Sequence, residues 1–187
     1  MKILFIHGLA SSGAYKMADM LRMLLRADVI APDLPIGLDE ALKILQEIVA
    51  DERPDLVIGL SWGGFLALEL GAERTVVINP DLKPSGLLRS KIGPVQYLSP
   101  RRGGETSFEI TEEICRRYEE AEKEDFPQQK TLLGCFADND ELVHSAPLFE
   151  ELFPERSFHY PGGHLPTYRE MKFYVVPAIA FSSEQGN

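Results

Sequence analysis

The chain alternates, about six times over, between short runs that are apolar at almost every position and longer stretches that are apolar on one side only. KILFI at 2–6, DLVIGL at 55–60, TVVINP at 75–80 and TLLGCFA at 131–137 are runs of the first kind. A strand covered on one face alternates apolar and polar residues. A strand that is apolar throughout is buried on both faces. DVIAPDLP at 28–35 and SFHY at 157–160 supply two shorter strands. Between the strands, Met17, Met20, Leu21, Leu24 and Leu25 recur at helical spacing, as do Leu38, Ala41, Leu42, Leu45, Ile48 and Val49. This alternation predicts a mostly parallel α/β sheet with helices on both faces. At 187 residues the chain reads as a single domain, 1–187.

The rhythm fails over about 82–125. Residues 81–107 dissolve into Pro, Gly and Ser. EITEEICRRYEEAEKED at 109–125 then predicts a charged helix with Ile110, Ile114, Tyr118 and Ala121 on one face. An insertion here lies over the carboxyl edge of the sheet, where such architectures bind ligands. A short helix over 145–153 and another from Thr167, bent or ended by Pro177, close the chain. The last residues, SSEQGN, read as a frayed tail.

With 29 acidic and 19 basic residues the net charge is −10. That argues against a nucleic-acid partner and against an anionic membrane surface, both of which need clustered Lys and Arg. The basic pair Arg101-Arg102 does not reverse the balance. Cys115 and Cys135 show neither C-x-x-C nor metal-type spacing, so two free thiols in a reducing compartment are expected, with a single disulfide as the alternative. The N-terminal MKILFIHGLASSGA imitates a leader peptide, but its apolar run spans only Ile3 to Ile6 before His7 and Gly8 interrupt it. No stretch reaches the length of a membrane span. The expected location is the cytoplasm.

The strand at 55–60 runs into GLSWGG at 59–64 and then an apolar helical stretch. In G-x-S-x-G the chain turns sharply from strand to helix, and glycine removes collisions that side chains would make. The turn lifts Ser61 above the sheet edge and points the first helix amides at whatever its hydroxyl attacks. A serine alone is a poor nucleophile. It needs a base, and the base needs an orienting acid.

Of four histidines, only His164, in YPGGHLP, stands on a glycine-flanked loop after a late strand. His159 lies between Phe158 and Tyr160 and reads as structural. His144 reads as solvated. A metal site from His159, His164 and a carboxylate has no usual ligand spacing, so no metal is expected. His7 directly follows the first strand. There it can hold the loop so that the N–H of Leu9 or Ala10 joins that of Trp62 in stabilising an oxyanion. For the acid, FADNDELV offers Asp138, Asp140 and Glu141. Asp140 precedes an apolar pair, Leu142-Val143, that would anchor the loop. Asp138, nearer the strand, is the fallback. Asp33 reads as a turn residue and Asp81 as the entry to the insertion.

Placed in this order, IHG at 6–8, GLSWGG at 59–64, DNDELV at 138–143 and PGGH at 161–164 resemble the α/β-hydrolase superfamily over nearly the whole chain. INPDLKPSGLL at 78–88 and DELV at 140–143 are most similar to the small YqiA-like esterases. The resemblance implies a three-layer α/β-hydrolase fold of about six parallel strands in the order 2-1-3-4-5-6, with the insertion after strand 4 acting as a lid. It implies Ser61 as nucleophile, His164 as base and Asp140 as orienter, with no cofactor. The substrate would be a small-molecule carboxylic ester or thioester, with His7 and Trp62 beside it. An amidase or peptidase would use the same three residues, and a non-enzymatic binding protein could keep the fold. Trp62 stands where the family more often has a smaller aliphatic residue, and its indole would narrow the pocket or wall the acyl site.

Overall fold

The computed structural model describes residues 1–123 and 125–185, with only the backbone described over 181–185. Six strands form one sheet: β1 Lys2–Ile6, β2 Asp28–Ile30, β3 Leu56–Leu60, β4 Arg74–Ile78, β7 Thr131–Ala137 and β8 Ser157–Tyr160. Their spatial order is β2-β1-β3-β4-β7-β8, and every pairing is parallel. Counted along the sheet alone this is 2-1-3-4-5-6, as expected. The two intervening strands, β5 Gly93–Gln96 and β6 Ser107–Ile110, form a separate antiparallel hairpin within the insertion.

Alternate residues of each strand feed different cores, as the pleat requires. Leu4, Ile6, Val57 and Val77 pack on one face with α2 (Leu38–Glu52) and α3 (Trp62–Leu70). Ile3, Phe5, Ile58 and Ile78 pack on the other with Met17 and Leu21 of α1 (Lys16–Leu25). Burial on both faces is what the unbroken apolar runs demanded.

The insertion holds more order than its sequence suggests. Pro84 opens a short helix, α4 (Pro84–Arg89), and the hairpin comes next. The charged helix is α5 (Glu112–Ala121), two residues later than Ile110 requires. Ile110 instead ends β6, and Thr111 caps α5 by accepting the Ile114 amide. The buried face of α5 is Cys115, Tyr118 and Ala121, with Ile114 at its margin.

After β7 come α6 (Ala146–Leu152), β8 and α7 (Tyr168–Glu170), capped by Thr167 and Glu170. Pro177 neither ends nor sharply breaks the C-terminal helix. A π-helical turn, Met171–Val175, leads into α8 (Val176–Gln185). The wider turn takes up the helix register before a residue that cannot donate a backbone bond. The expected frayed tail is therefore helical as far as Gln185, and its last two residues lie outside the described residues. No helix among the described residues is long and apolar enough to cross a membrane.

Candidate active site

The chain leaves β1 toward β2 on one side of the sheet and reaches β3 on the other, so the loops after β1 and β3 meet at the switch point. Their contact is close. A Cβ on Gly8 would sit 3.6 Å from the Cβ of Ser61. The serine turn is tighter still. A Cβ on Gly59 would lie 2.3 Å from the Gly63 carbonyl oxygen, and one on Gly63 would lie 2.3 Å from that of Ile6. Only glycine lets β1, β3 and α3 approach this closely.

Ser61 itself has φ 55° and ψ −122°, a conformation costing roughly 1–3 kcal/mol. Its main chain is held by neighbours. The amide donates to Ile78, and the carbonyl accepts from Gly64 and Asp81. A serine at a helix N-cap ordinarily bonds its own helix through its hydroxyl. Here the hydroxyl makes no capping bond and lies 2.8 Å from Nε2 of His164.

The imidazole of His164 is fixed from its other end. Nδ1 lies 2.8 and 3.0 Å from the two carboxylate oxygens of Asp140. A carboxylate only accepts, so Nδ1 carries the proton and Nε2 presents its lone pair to the serine O–H. Asp140 is fixed in turn by the amides of Leu142 and Val143, which both donate to Oδ1. The expected anchor thus acts through backbone, not through buried side chains: Leu142 is 68% exposed. Ser61 and His164 are nearly covered, at 9% and 3% exposure.

Asp138 does not share this role. It stands 3.8 Å from Nδ1 of His159, whose Nε2 pairs more closely with Glu150 at 2.9 Å. His159 is therefore a half-exposed member of a surface polar cluster. His144 is exposed, as expected. No cluster of His, Cys, Asp or Glu among the described residues could hold a metal ion, and both cysteines are free and buried.

His7 is buried and wholly occupied with backbone. Nε2 accepts the Leu34 amide at 3.2 Å, which leaves Nδ1 to donate to the Gly8 carbonyl at 2.8 Å. Burial pushes its pKa down to about 4, so the ring is neutral. It braces the loop that carries Leu9 and Ala10, and only 1% of it is exposed. Ser11 donates to Gly8 across a turn whose third residue, Ala10, has φ 58°. Trp62, the first residue of α3, is 2% exposed. Its indole Nε1 donates to the Tyr118 hydroxyl at 2.9 Å, and that hydroxyl donates to the Ile36 carbonyl at 3.0 Å. The indole is a tie between the serine turn and α5.

Several polar residues matter more than their sequence context indicated. Asn79, with φ 44°, is a buried hub. Its side-chain oxygen accepts the Ala137 amide, and its nitrogen donates to the Tyr160 hydroxyl and to the carbonyls of Gly163 and His164. Glu141 accepts the His164 amide, and this bond holds its carboxyl below the usual range. Asp33 is more than a turn residue. It accepts the amides of Gly13 and Arg102, joining two loops to the insertion. Burial pushes its carboxyl up, but those two bonds outweigh it and leave the pKa lowered. Asp81, at the insertion's entry, is buried, and that burial raises its pKa.

The fold has counterparts elsewhere. Est1E from Butyrivibrio proteoclasticus superposes with a TM-score of 0.68 at 14% identity, covering 99% of this chain and 87% of that one. MGS-MChE2, an alpha/beta hydrolase enzyme from the metagenome of sediments from the lagoon of Mar Chica, Morocco, gives 0.69 at 15%, covering 100% and 92%. S-formylglutathione hydrolase (FrmB) from Staphylococcus aureus gives 0.59 at 13%, covering 97% and 83%. At such identities the likeness is one of fold. No curated protein matches the chain. A family model does, over residues 3–176, from the second residue of β1 to the first of α8. With the parallel sheet and the serine turn at its switch point, that match over most of the length makes this chain a member of the alpha/beta hydrolase family.

Proposed function

We propose that the protein is a serine hydrolase that cleaves a carboxylic ester or thioester through an acyl-serine. One observation carries the reading. The Ser61 hydroxyl lies 2.8 Å from a ring nitrogen whose opposite nitrogen is clamped by both oxygens of Asp140. His164 Nε2 takes the hydroxyl proton as Oγ bonds to the substrate carbonyl carbon. The electron pair of the C=O bond moves to oxygen, and the amides of Trp62 and of Leu9 or Ala10 bind that oxyanion. Collapse breaks the bond to the alcohol or thiol, which takes the proton from His164. Water, deprotonated by His164, then releases the acid and frees Ser61.

In this reading residues 1–187 form one domain, and the 82–125 segment covers the site as a lid. The nearer likeness to YqiA-like esterases belongs to the same reading. The free thiols suit a cytoplasmic location. Labelling with a small fluorophosphonate, read by mass spectrometry, is the test. Wild type is expected to gain one adduct at Ser61, and Ser61→Ala none. Ser61→Ala is also expected to lower ester turnover by roughly 10⁴- to 10⁶-fold. An accessible but unlabelled Ser61 in the folded wild type would contradict the mechanism.

A further inference from the structure

The cleft beside the oxyanion loop is very small. Leu9, Ala10 and Trp62, whose amides are the proposed oxyanion donors, line it together with His7 and with Tyr97 and Phe108 of the insertion. Its volume is about 10 Å³, room for roughly one water-sized group.

The part of the lining that the insertion supplies is fixed. The rings of Tyr97 and Phe108 pack 4.8 Å apart, and the Arg101 guanidinium stacks on Tyr97 at 4.4 Å. Arg101 also donates to the Leu34 carbonyl, and the Arg102 amide donates to Asp33. The Leu98 amide donates to the Ala10 carbonyl at 2.7 Å, so the hairpin is bonded to the oxyanion loop itself. Ser99 adds hydroxyl contacts to Ser11 and Ser12. Widening the cleft means breaking several of these bonds at once.

Resting on the serine-hydrolase reading above, we infer that this cleft is the acyl subsite and that Tyr97 and Phe108 limit it to a short acyl group, of acetyl size. The methyl of an acetyl group matches the space. Each further methylene meets an aromatic ring held by the insertion. The substrate class is thus short-chain acyl esters or thioesters, with the larger part of the molecule on the leaving-group side.

The test is kcat/KM for p-nitrophenyl acetate, butyrate and octanoate, with fluorophosphonate labelling of Ser61 in parallel. Wild type is expected to favour acetate over octanoate by at least about 100-fold, the scale on which a filled pocket rejects surplus carbon. Phe108→Ala and Tyr97→Ala should each narrow that ratio about tenfold or more. Glu109→Ala should leave it intact, because Glu109 is next to Phe108 but on the exposed face of β6. Two folded variants are used because either ring deletion could loosen the hairpin, and the wild-type profile stands without them. Equal rates on acetate and octanoate overturn the inference and leave the serine chemistry standing. So does an acetate preference that both folded variants retain. No turnover of any ester also overturns it, and labelling of Ser61 then tells whether the reading beneath survives.

Discussion

The side-chain amide of Asn79 donates a 2.7 Å hydrogen bond to the carbonyl oxygen of His164. The same side chain accepts the Ala137 amide at the end of β7 and donates to Tyr160 at the end of β8. One residue at the end of β4 thus fixes where the histidine loop begins relative to three strand ends. Asn79→Asp keeps the shape but turns the donor into an acceptor facing carbonyl oxygens. It is expected to lower kcat on the order of 10²-fold through displacement of His164, with KM little changed. Rates per folded molecule, normalised by active-site titration, separate this from simple instability. An unchanged normalised kcat would mean that Asn79 only supports the fold.

Asp140 and Asp138 are two residues apart but face different histidines. Asp140→Asn is expected to cost about 10⁴-fold in kcat, because an amide can donate to Nδ1 and select the wrong tautomer. Asp138→Asn should stay within a few-fold of wild type, because its neighbour is His159 on the surface. A large loss in Asp138→Asn with a small one in Asp140→Asn would reverse the assignment of the acid.

Gly63 and Gly86 both lie in helices but in opposite circumstances. A Cβ on Gly63 would meet the carbonyl oxygens of Ile6 and His7 at 2.3 and 2.4 Å, whereas one on Gly86 meets nothing within 4 Å. Gly63→Ala should therefore destabilise by at least about 1–3 kcal/mol. Gly86→Ala should stabilise by about 0.4–1 kcal/mol, by removing freedom from the unfolded chain. Urea unfolding midpoints check both.

His7 gives the stability a dependence on acid. Its pKa falls to about 4 in the folded protein from 6.5 as its ordinary value. Between those values the unfolded chain binds more proton than the folded one, so stability rises with pH through this window. The contribution is fully present above pH 6.5 and lost as pH falls toward 4, amounting to on the order of 3 kcal/mol. His7→Gln, which keeps a donor and an acceptor but does not titrate, should flatten that limb of the stability–pH curve. Chemical unfolding at half-unit steps from pH 7.5 to 4 is the measurement.

The sheet is legible because its strands are apolar on both faces, a pattern that burial on two sides alone explains. Ser61, His164 and Asp140 are legible because each stands after a strand, in a fixed order along the chain. The hairpin is not. Its strands have four residues each, only half of them covered from solvent, and Gly93 and Pro94 blur the period. Ile110 reads as part of α5 because one apolar residue fits either period. Thr111, with a cap's chemistry, carries the signal for the true boundary. Asn79 has no local signal at all. Its side-chain partners lie 58 to 85 residues away and converge only when β4, β7 and β8 are assembled.

The indole of Trp62 and the hydroxyl of Tyr118 divide the insertion into two parts with different freedom to change. Through them α5 is fastened to the residue beside Ser61 and, by way of Ile36, to the segment ahead of α2. That helix belongs to the frame of the enzyme and drifts only at the cost of the serine's surroundings. The hairpin ahead of it is tied to the site mainly through backbone groups, the Leu98 amide to Ala10 and the Arg102 amide to Asp33, bonds that do not depend on which side chains it carries. New specificities would therefore arise by substitution within residues 93–110, while 112–121 stay bound to their architectural duty.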